Sequence, residues 1–244
     1  MKNIYIYTIE GNIGSGKSTI IKEIKKKYNS LNNCEIIYLP EPVDIWSSIK
    51  DENGINIIKK FYADNNKYSF PFQMMAYISR ITQLRKIKHN LNPHKTYVFI
   101  TERSVHTDKN VFAKMLFEEK KMNYCEYQIY NKWFDEFIQD IPIHKYIYID
   151  TDTKVCMERI KKRSRKGEEL IPIKYLNDCK KYHDNWLNEL ETDILIMSGD
   201  GEINTPEYNE TIKNIINFIS ENTPNNFTST SEVTMDMLMN HPFF

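Results

Sequence analysis

Glu10-Gly11-Asn12-Ile13-Gly14-Ser15-Gly16-Lys17-Ser18-Thr19 (EGNIGSGKST) puts three of the chain's seven glycines into six positions, then adds a lysine and two hydroxyls. The run before it, Ile4 to Ile9, reads as a buried β-strand. The run after it, Ser18 to Tyr28, carries Ile20, Ile21, Ile24 and Tyr28 at helical spacing. The glycines therefore stand where a strand turns into a helix, the setting in which G-x-x-x-x-G-K-[ST] forms a phosphate-binding loop. Gly11, Gly14 and Gly16 let successive N–H groups turn into one hollow, and the helix N-terminus adds partial positive charge to it. With Asn12, Ile13, Ser15 and Thr19 they make the candidate nucleotide loop. Within it Lys17 reaches the β- and γ-phosphates and the Ser18 hydroxyl is a candidate Mg²⁺ ligand.

Composition sets the bounds. The 244 residues suffice for one domain with a real core. Thirty-three basic and 33 acidic side chains cancel, so no global field attracts nucleic acid or a membrane surface. Cys34, Cys125, Cys156 and Cys179 are scattered without C-x-x-C spacing, which points away from zinc and from a disulfide framework. A reducing, cytoplasmic setting is expected. No apolar run approaches the roughly 20 residues of a membrane helix, and a first strand starting at Ile4 leaves no room for a signal segment.

Further short apolar runs fall at Glu35–Leu39, Tyr97–Thr101, Tyr146–Asp150 and Ile194–Met197. Helical patterning separates them at Tyr68–Leu91, Ser104–Lys120, Tyr124–Ile138, Thr153–Arg163 and Pro172–Leu190. This alternation predicts a five-stranded parallel sheet with helices on both faces, whose ligands bind beyond the carboxyl ends of the strands. The residues just past each strand are therefore the informative ones. EPVDIW (Glu41 to Trp46) comes after the second strand, and TERS (Thr101 to Ser104) after the third. Beyond the fourth, six of the eight residues from Arg159 to Lys166 are basic. A carboxylate, an acid–base pair and an arginine cluster thus converge on the edge that carries the phosphate loop. That is the inventory of a phosphotransfer site.

At this point the chain resembles the deoxynucleoside kinases, from about residue 4 to about residue 220. The resemblance is carried by GNIGSGKST, EPVDIW, FYADNNKYSFPFQMMAYISR (Phe61 to Arg80), ERSVHTD (Glu102 to Asp108) and RSRKGEELIPIKYL (Arg163 to Leu176). It implies a P-loop kinase fold with an arginine-rich lid in residues 1–220, followed by a flexible C-terminal tail in 221–244. It implies transfer of the ATP γ-phosphate to the 5′-hydroxyl of a deoxynucleoside, with Mg²⁺, for nucleotide salvage, by a homodimer. In that frame Glu41 is the base, Arg103 orders the hydroxyl, and Glu102 joins Ser18 on the metal side. Lys17, Arg163 and Arg165 stabilise the phosphates in transfer, and Arg159 packs on the donor base.

The acceptor falls on a helix pair between Ile55 and Leu91. The resemblance implies that Val43, Trp46, Ile58, Phe72, Ala76 and Phe112 wall the base and that Gln73 bonds its edge, and Tyr62 with Glu168 resembles the pair that holds the ribose 3′-hydroxyl. Arg80 and Asp108 match the deoxycytidine and deoxyguanosine kinase branch, because the thymidine-accepting branch carries small or apolar groups there. His106 and Met74-Met75 depart from the family pattern. Two other readings stay open: a thymidylate-type kinase, whose ionised acceptor needs arginines rather than a base, and a non-catalytic scaffold.

Overall fold

The computed structural model describes residues 3–139, 141, 143, 145–165 and 167–224. The apolar end of the tail, Met235 to Phe244, lies outside the described residues.

A six-stranded sheet in the order β2-β3-β4-β1-β5-β6 forms the centre. Its strands are β1 (Asn3–Glu10), β2 (Ser30–Leu31), β3 (Cys34–Leu39), β4 (Thr96–Glu102), β5 (Lys145–Asp150) and β6 (Ile194–Ser198). Five of these are the expected ones, and they are parallel. The sixth, β2, is a correction to the five-stranded reading. It pairs antiparallel with β3 through a two-residue turn, Asn32-Asn33, with φ of 49° and 60°. Asparagine tolerates that left-handed geometry, and such turns follow the twist of a hairpin. A two-residue strand has no periodicity to read.

The helices are α1 (Lys17–Lys27), α2 (Val43–Ser48), α3 (Ile57–Ala63), α4 (Asn65–Asn90), α5 (Val105–Thr107), α6 (Lys114–Glu118), α7 (Tyr124–Ile138), α8 (Thr153–Arg163), α9 (Ile173–Asn188) and α10 (Pro206–Glu221). The helix pair expected between Ile55 and Leu91 is α3 and α4. The single helix expected over Ser104–Lys120 is instead broken by a π-helical turn, Asp108–Ala113, between α5 and α6. Turns of this kind recur at functional sites because the wider coil re-aims side chains. The last helix, α10, was not expected at all, although Thr205 caps it and Pro206 opens it.

The sheet buries both faces. Tyr7 and Ile9 of β1 point to a core with Ile20, Ile24 and the isoleucines of α10. Ile6, alternating, points to the other side, where Tyr77, Tyr130 and Phe134 of α4 and α7 pack. Register then decides where the chemistry sits. Ile9 is opposite Glu102 and Leu39 opposite Thr101, so the glycine loop, Glu41 and Arg103 all leave the sheet at one edge.

The compact body continues past residue 220. Thr223 is buried and its Oγ1 lies 2.8 Å from the Tyr7 hydroxyl. Asn32 Nδ2 donates to the carbonyls of Ser220 and Thr223, each at 2.8 Å, so the hairpin turn caps the end of α10. Asn32→Asp keeps the turn conformation but removes both donors. It should lower stability by about 1–3 kcal/mol, read as a lower urea midpoint with an unchanged slope.

Candidate functional site

The loop between β1 and α1 has the geometry its glycines imply. Gly14 has φ of 80°, and a Cβ there would lie 2.5 Å from the Cys156 carbonyl oxygen. Only glycine fits. Asn12 supports the loop from beneath, since its Nδ2 donates to the Leu176 carbonyl and its Oδ1 accepts from Ile13 N. Lys17 Nζ folds over the loop onto the Asn12 carbonyl, 2.6 Å away, and Ser15 Oγ, 3.3 Å away. Burial, with the Arg103 charge added, pushes the Lys17 ammonium down to about 7. The Ser18 hydroxyl donates to Glu102 Oε1 at 2.7 Å, which sets two hard oxygen donors side by side at the head of α1. Thr19 bonds through its backbone N–H to Gly16 and does not line the cleft.

Beside the loop opens a cleft. Its centre is Glu41. Arg80 Nη2 and Arg103 Nη1 donate to the same oxygen, Glu41 Oε1, at 2.8 and 2.7 Å. Burial opposes charge on this carboxylate, but Arg103, Arg80 and Lys17 outweigh it and hold the carboxyl down at about 2. Arg80 continues to Asp108, with Nε 3.0 Å from Oδ2, and its Nη1 donates to the Glu102 carbonyl at 2.6 Å. Burial lifts the Asp108 carboxyl to about 6 against the pull of Arg80. Arg103 has φ of 59°, a left-handed conformation that costs about 1–3 kcal/mol off glycine. It is held there by its N–H on the Ile9 carbonyl and its Nε on the Gly11 carbonyl.

Apolar walls surround this cluster. Trp46 meets Phe72 edge-on at 5.5 Å, and its indole N–H donates to Ser79 Oγ. The Arg103 guanidinium lies 5.2 Å from the Phe112 ring centre. Val43, Ile58, Tyr62 and Gln73 also line the cleft. Gln73 Oε1 and Arg103 Nη2 are buried with no hydrogen-bond partner among the described residues. Buried polar atoms are nearly always satisfied, so these two are poised for a ligand. Across the mouth, Arg163 and Arg165 both bond Glu168, at 2.6 and 3.0 Å.

Several expectations change. Ala76 is buried in the core behind Trp46 and Phe72 and does not reach the cleft. Arg159 bonds the carbonyls of Gly199 and Gly201 at 2.6 and 2.9 Å, tying the loop after β6 toward the phosphate loop. His106 and Met74 do not line the cleft either. His106 packs edge-on against Phe134 at 5.6 Å, where burial and Lys109 push it down to about 4. Two lining residues were missed, Phe61 and Tyr175. Phe61 lies 4.8 Å from Phe72, and Tyr175 stands edge-on to Tyr62 at 6.0 Å. Aromatic spacing on α3 could have given the first. Tyr175 comes from a distant helix and leaves no local signal.

Phosphate loop, basic lid and enclosed aromatic cleft define a phosphotransferase of the P-loop kinase class. The sequence model of the family described as Deoxynucleoside kinase matches residues 7–222, and the chain belongs to that family. It is similar to deoxycytidine kinase 2 of Gallus gallus, 33% identical over 77% of this chain and 76% of that one. It is likewise similar to the probable deoxycytidine kinase of fowlpox virus (strain NVSL), 33% identical over 88% of each chain. Mitochondrial deoxyguanosine kinase of Xenopus laevis is 27% identical over 77% of this chain and 74% of its own. The chain is thus a nucleoside kinase of salvage, moving a phosphoryl group from a nucleotide donor to a nucleoside. No helix among the described residues is long and apolar enough to cross a membrane.

The buried Lys17 gives a pH signature. Its folded value of about 7 lies below its ordinary 10.5, so between those two the unfolded chain binds more protons and stability rises with pH. The penalty of burying the charge is complete below pH 7. Lys17→Met should therefore raise the melting temperature of the ligand-free protein at pH 7, with the gap closing toward pH 10. A gap that stays constant from pH 7 to pH 10 would contradict the assignment.

Proposed function

We propose that this enzyme transfers the γ-phosphoryl group of ATP to the 5′-hydroxyl of a deoxynucleoside, deoxycytidine or a deoxypurine. The observation that carries the reading is the Glu41 carboxylate, set beside the phosphate loop and shared by Arg80 and Arg103 at the foot of an aromatic cleft. A 5′-hydroxyl holds its proton far above neutral pH and needs an acceptor as the bond to phosphorus forms. Both arginines use Oε1, and Oε2 takes no hydrogen bond among the described residues. That oxygen accepts the hydroxyl proton. A carboxylate held so acidic is a weak base, so proton transfer comes late, in keeping with a loose phosphoryl transition state. Orientation of the hydroxyl is then its larger contribution.

The rest of the cleft divides between donor and acceptor. Lys17, Arg163 and Arg165 carry the charge that spreads over the phosphoryl oxygens. Trp46, Phe72 and Phe112 enclose the base, Gln73 offers an amide to its edge, and Tyr62 with Glu168 faces the sugar. Ser18 and Glu102 suit Mg²⁺, which takes hard oxygens, keeps several waters and needs few protein ligands. Bound there, it would neutralise charge on the β- and γ-phosphates. The names of the relatives favour deoxycytidine and deoxyguanosine as acceptors. Exposed Ile78 on α4 and Tyr124, Ile129 and Trp133 on α7 support a homodimer built on those helices. No disulfide joins Cys34, Cys125, Cys156 and Cys179 among the described residues, which supports a reducing cytoplasm.

Transfer from radiolabelled ATP to the four deoxynucleosides and their monophosphates tests the acceptor class. Labelling of monophosphates alone would overturn the reading. Glu41→Gln should reduce turnover by about 10²- to 10⁴-fold while deoxynucleoside binding persists. Near wild-type turnover would remove Glu41 as the base.

Arg80 and Asp108 act as a unit. Arg80→Met alone should destabilise by about 3–5 kcal/mol because it strands a buried carboxylate, and adding Asp108→Ala should return part of that loss. The double variant should also shift use from deoxycytidine and deoxypurines toward thymidine. Denaturation and the same acceptor panel measure both. Equal stability of Arg80→Met and wild type would show that the pair is not coupled.

A further inference from the structure

Glu10 closes β1, one residue before the first glycine of the phosphate loop, and has no role in the chemistry described above. It is completely buried. Its Oε2 accepts from the Thr107 hydroxyl at 2.5 Å, and its Oε1 has no hydrogen-bond partner among the described residues. Burying a carboxylate is costly, and one short charge-assisted bond from a hydroxyl offsets only part of that. What that bond holds explains the placement.

Thr107 is the hub of the segment after β4. Its Oγ1 accepts from Ser104 N at 3.1 Å, and Ser104 Oγ accepts from Thr107 N at 3.2 Å, a reciprocal cap that starts α5. The next residue, Asp108, opens the π-helical turn that also carries Phe112. Both line the cleft. On the other side of Thr107 stands Arg103 in its left-handed conformation.

Three consecutive residues thus grip one segment. The Ile9 carbonyl takes Arg103 N, the Gly11 carbonyl takes Arg103 Nε, and the Glu10 side chain takes Thr107. Two of these grips are backbone carbonyls that any residue supplies. The third depends on the side chain.

We infer that Glu10 is a positioning residue for the acceptor: through its bond to Thr107 it fixes the π-helical turn, and so sets Asp108 and Phe112 against the base relative to the phosphate loop. The inference rests on the placement of the acceptor proposed above. Wild-type turnover of the deoxynucleoside panel tests that placement separately.

The test separates acceptor from donor. Thr107→Val keeps the shape and removes the hydroxyl that Glu10 accepts from, whereas Thr107→Ser keeps the hydroxyl. Steady-state kinetics with deoxycytidine as varied acceptor are run beside calorimetric titration of ATP into each variant. A misplacement of about 1 Å at a reacting centre costs on the order of 100-fold. Thr107→Val should therefore lower kcat/KM for deoxycytidine by about 10- to 100-fold, chiefly through a higher KM, with the ATP Kd within about twofold of wild type. Thr107→Ser should recover to within about threefold. Glu10→Gln, which replaces the charge-assisted bond by a neutral one of roughly half the strength, should fall between wild type and Thr107→Val. It serves as the measurement if Thr107→Val does not fold by circular dichroism. Equal losses of ATP and deoxycytidine affinity would make the role merely structural and overturn the inference. So would unchanged deoxycytidine kinetics in Thr107→Val or Glu10→Gln, or a Thr107→Ser variant no better than Thr107→Val.

Discussion

One oxygen atom, Glu41 Oε1, receives two guanidinium groups from different parts of the chain, and the arrangement of the site depends on that. Arg80 comes from the long α4 helix and Arg103 from the end of β4. Neither charge could be buried alone, because an unpaired ion in a low-dielectric interior costs several kcal/mol. Glu41 lets both enter, and Asp108 and the Glu102 carbonyl take up remaining donors of Arg80. The cluster therefore fixes α4, the end of β4 and the phosphate loop at one point. It also keeps the site charged before any ligand arrives, so that little reorganisation is left for the reaction.

The same economy appears in the sheet. A parallel register aligns the ends of β1, β3 and β4, and each end hands over to a functional segment. Glycines at the first end allow the backbone to turn inward. At the third end, Arg103 adopts the same left-handed region without being glycine, which only a well-anchored segment sustains. The π-helical turn just after it is a second irregularity in the same short stretch. Regular structure carries the fold here, and the departures from it line the cleft.

Much of this was legible in the sequence. The strand–glycine–helix transition is a local signal, and so are the short apolar strands and the residues at their ends. Glu41, Arg103, Gln73, Arg80 and Asp108 were found because ordered motifs resemble one family, and the structure brings them to one cleft. Most of the features that escaped notice depend on partners far along the chain. Glu10 reads as an ordinary flank of the glycine loop until it meets Thr107, 97 residues on. Tyr175 reaches the cleft from α9, and Ala76, though on the right helix, turns its small side chain into the core. The β2 hairpin is too short for periodicity, leaving the asparagine pair as its only trace. Arg159 had a plausible ligand in the sequence and has carbonyl partners in the fold.

Two arginines stand across the mouth of the cleft. Arg163 and Arg165 are each about one-third exposed, yet both converge on the buried Glu168. A carboxylate thus occupies the guanidinium forks that would otherwise face water or a phosphate. On the proposed reading, engagement of a donor amounts to anion exchange, one oxyanion leaving the forks as another enters, and the local charge is conserved through the swap. The selectivity of such an exchanger is set by the difference between the two anions. A singly charged chloride or acetate gains little over the resident carboxylate, while a polyphosphate, with several charges and oxygens spaced to bridge both forks, gains a great deal.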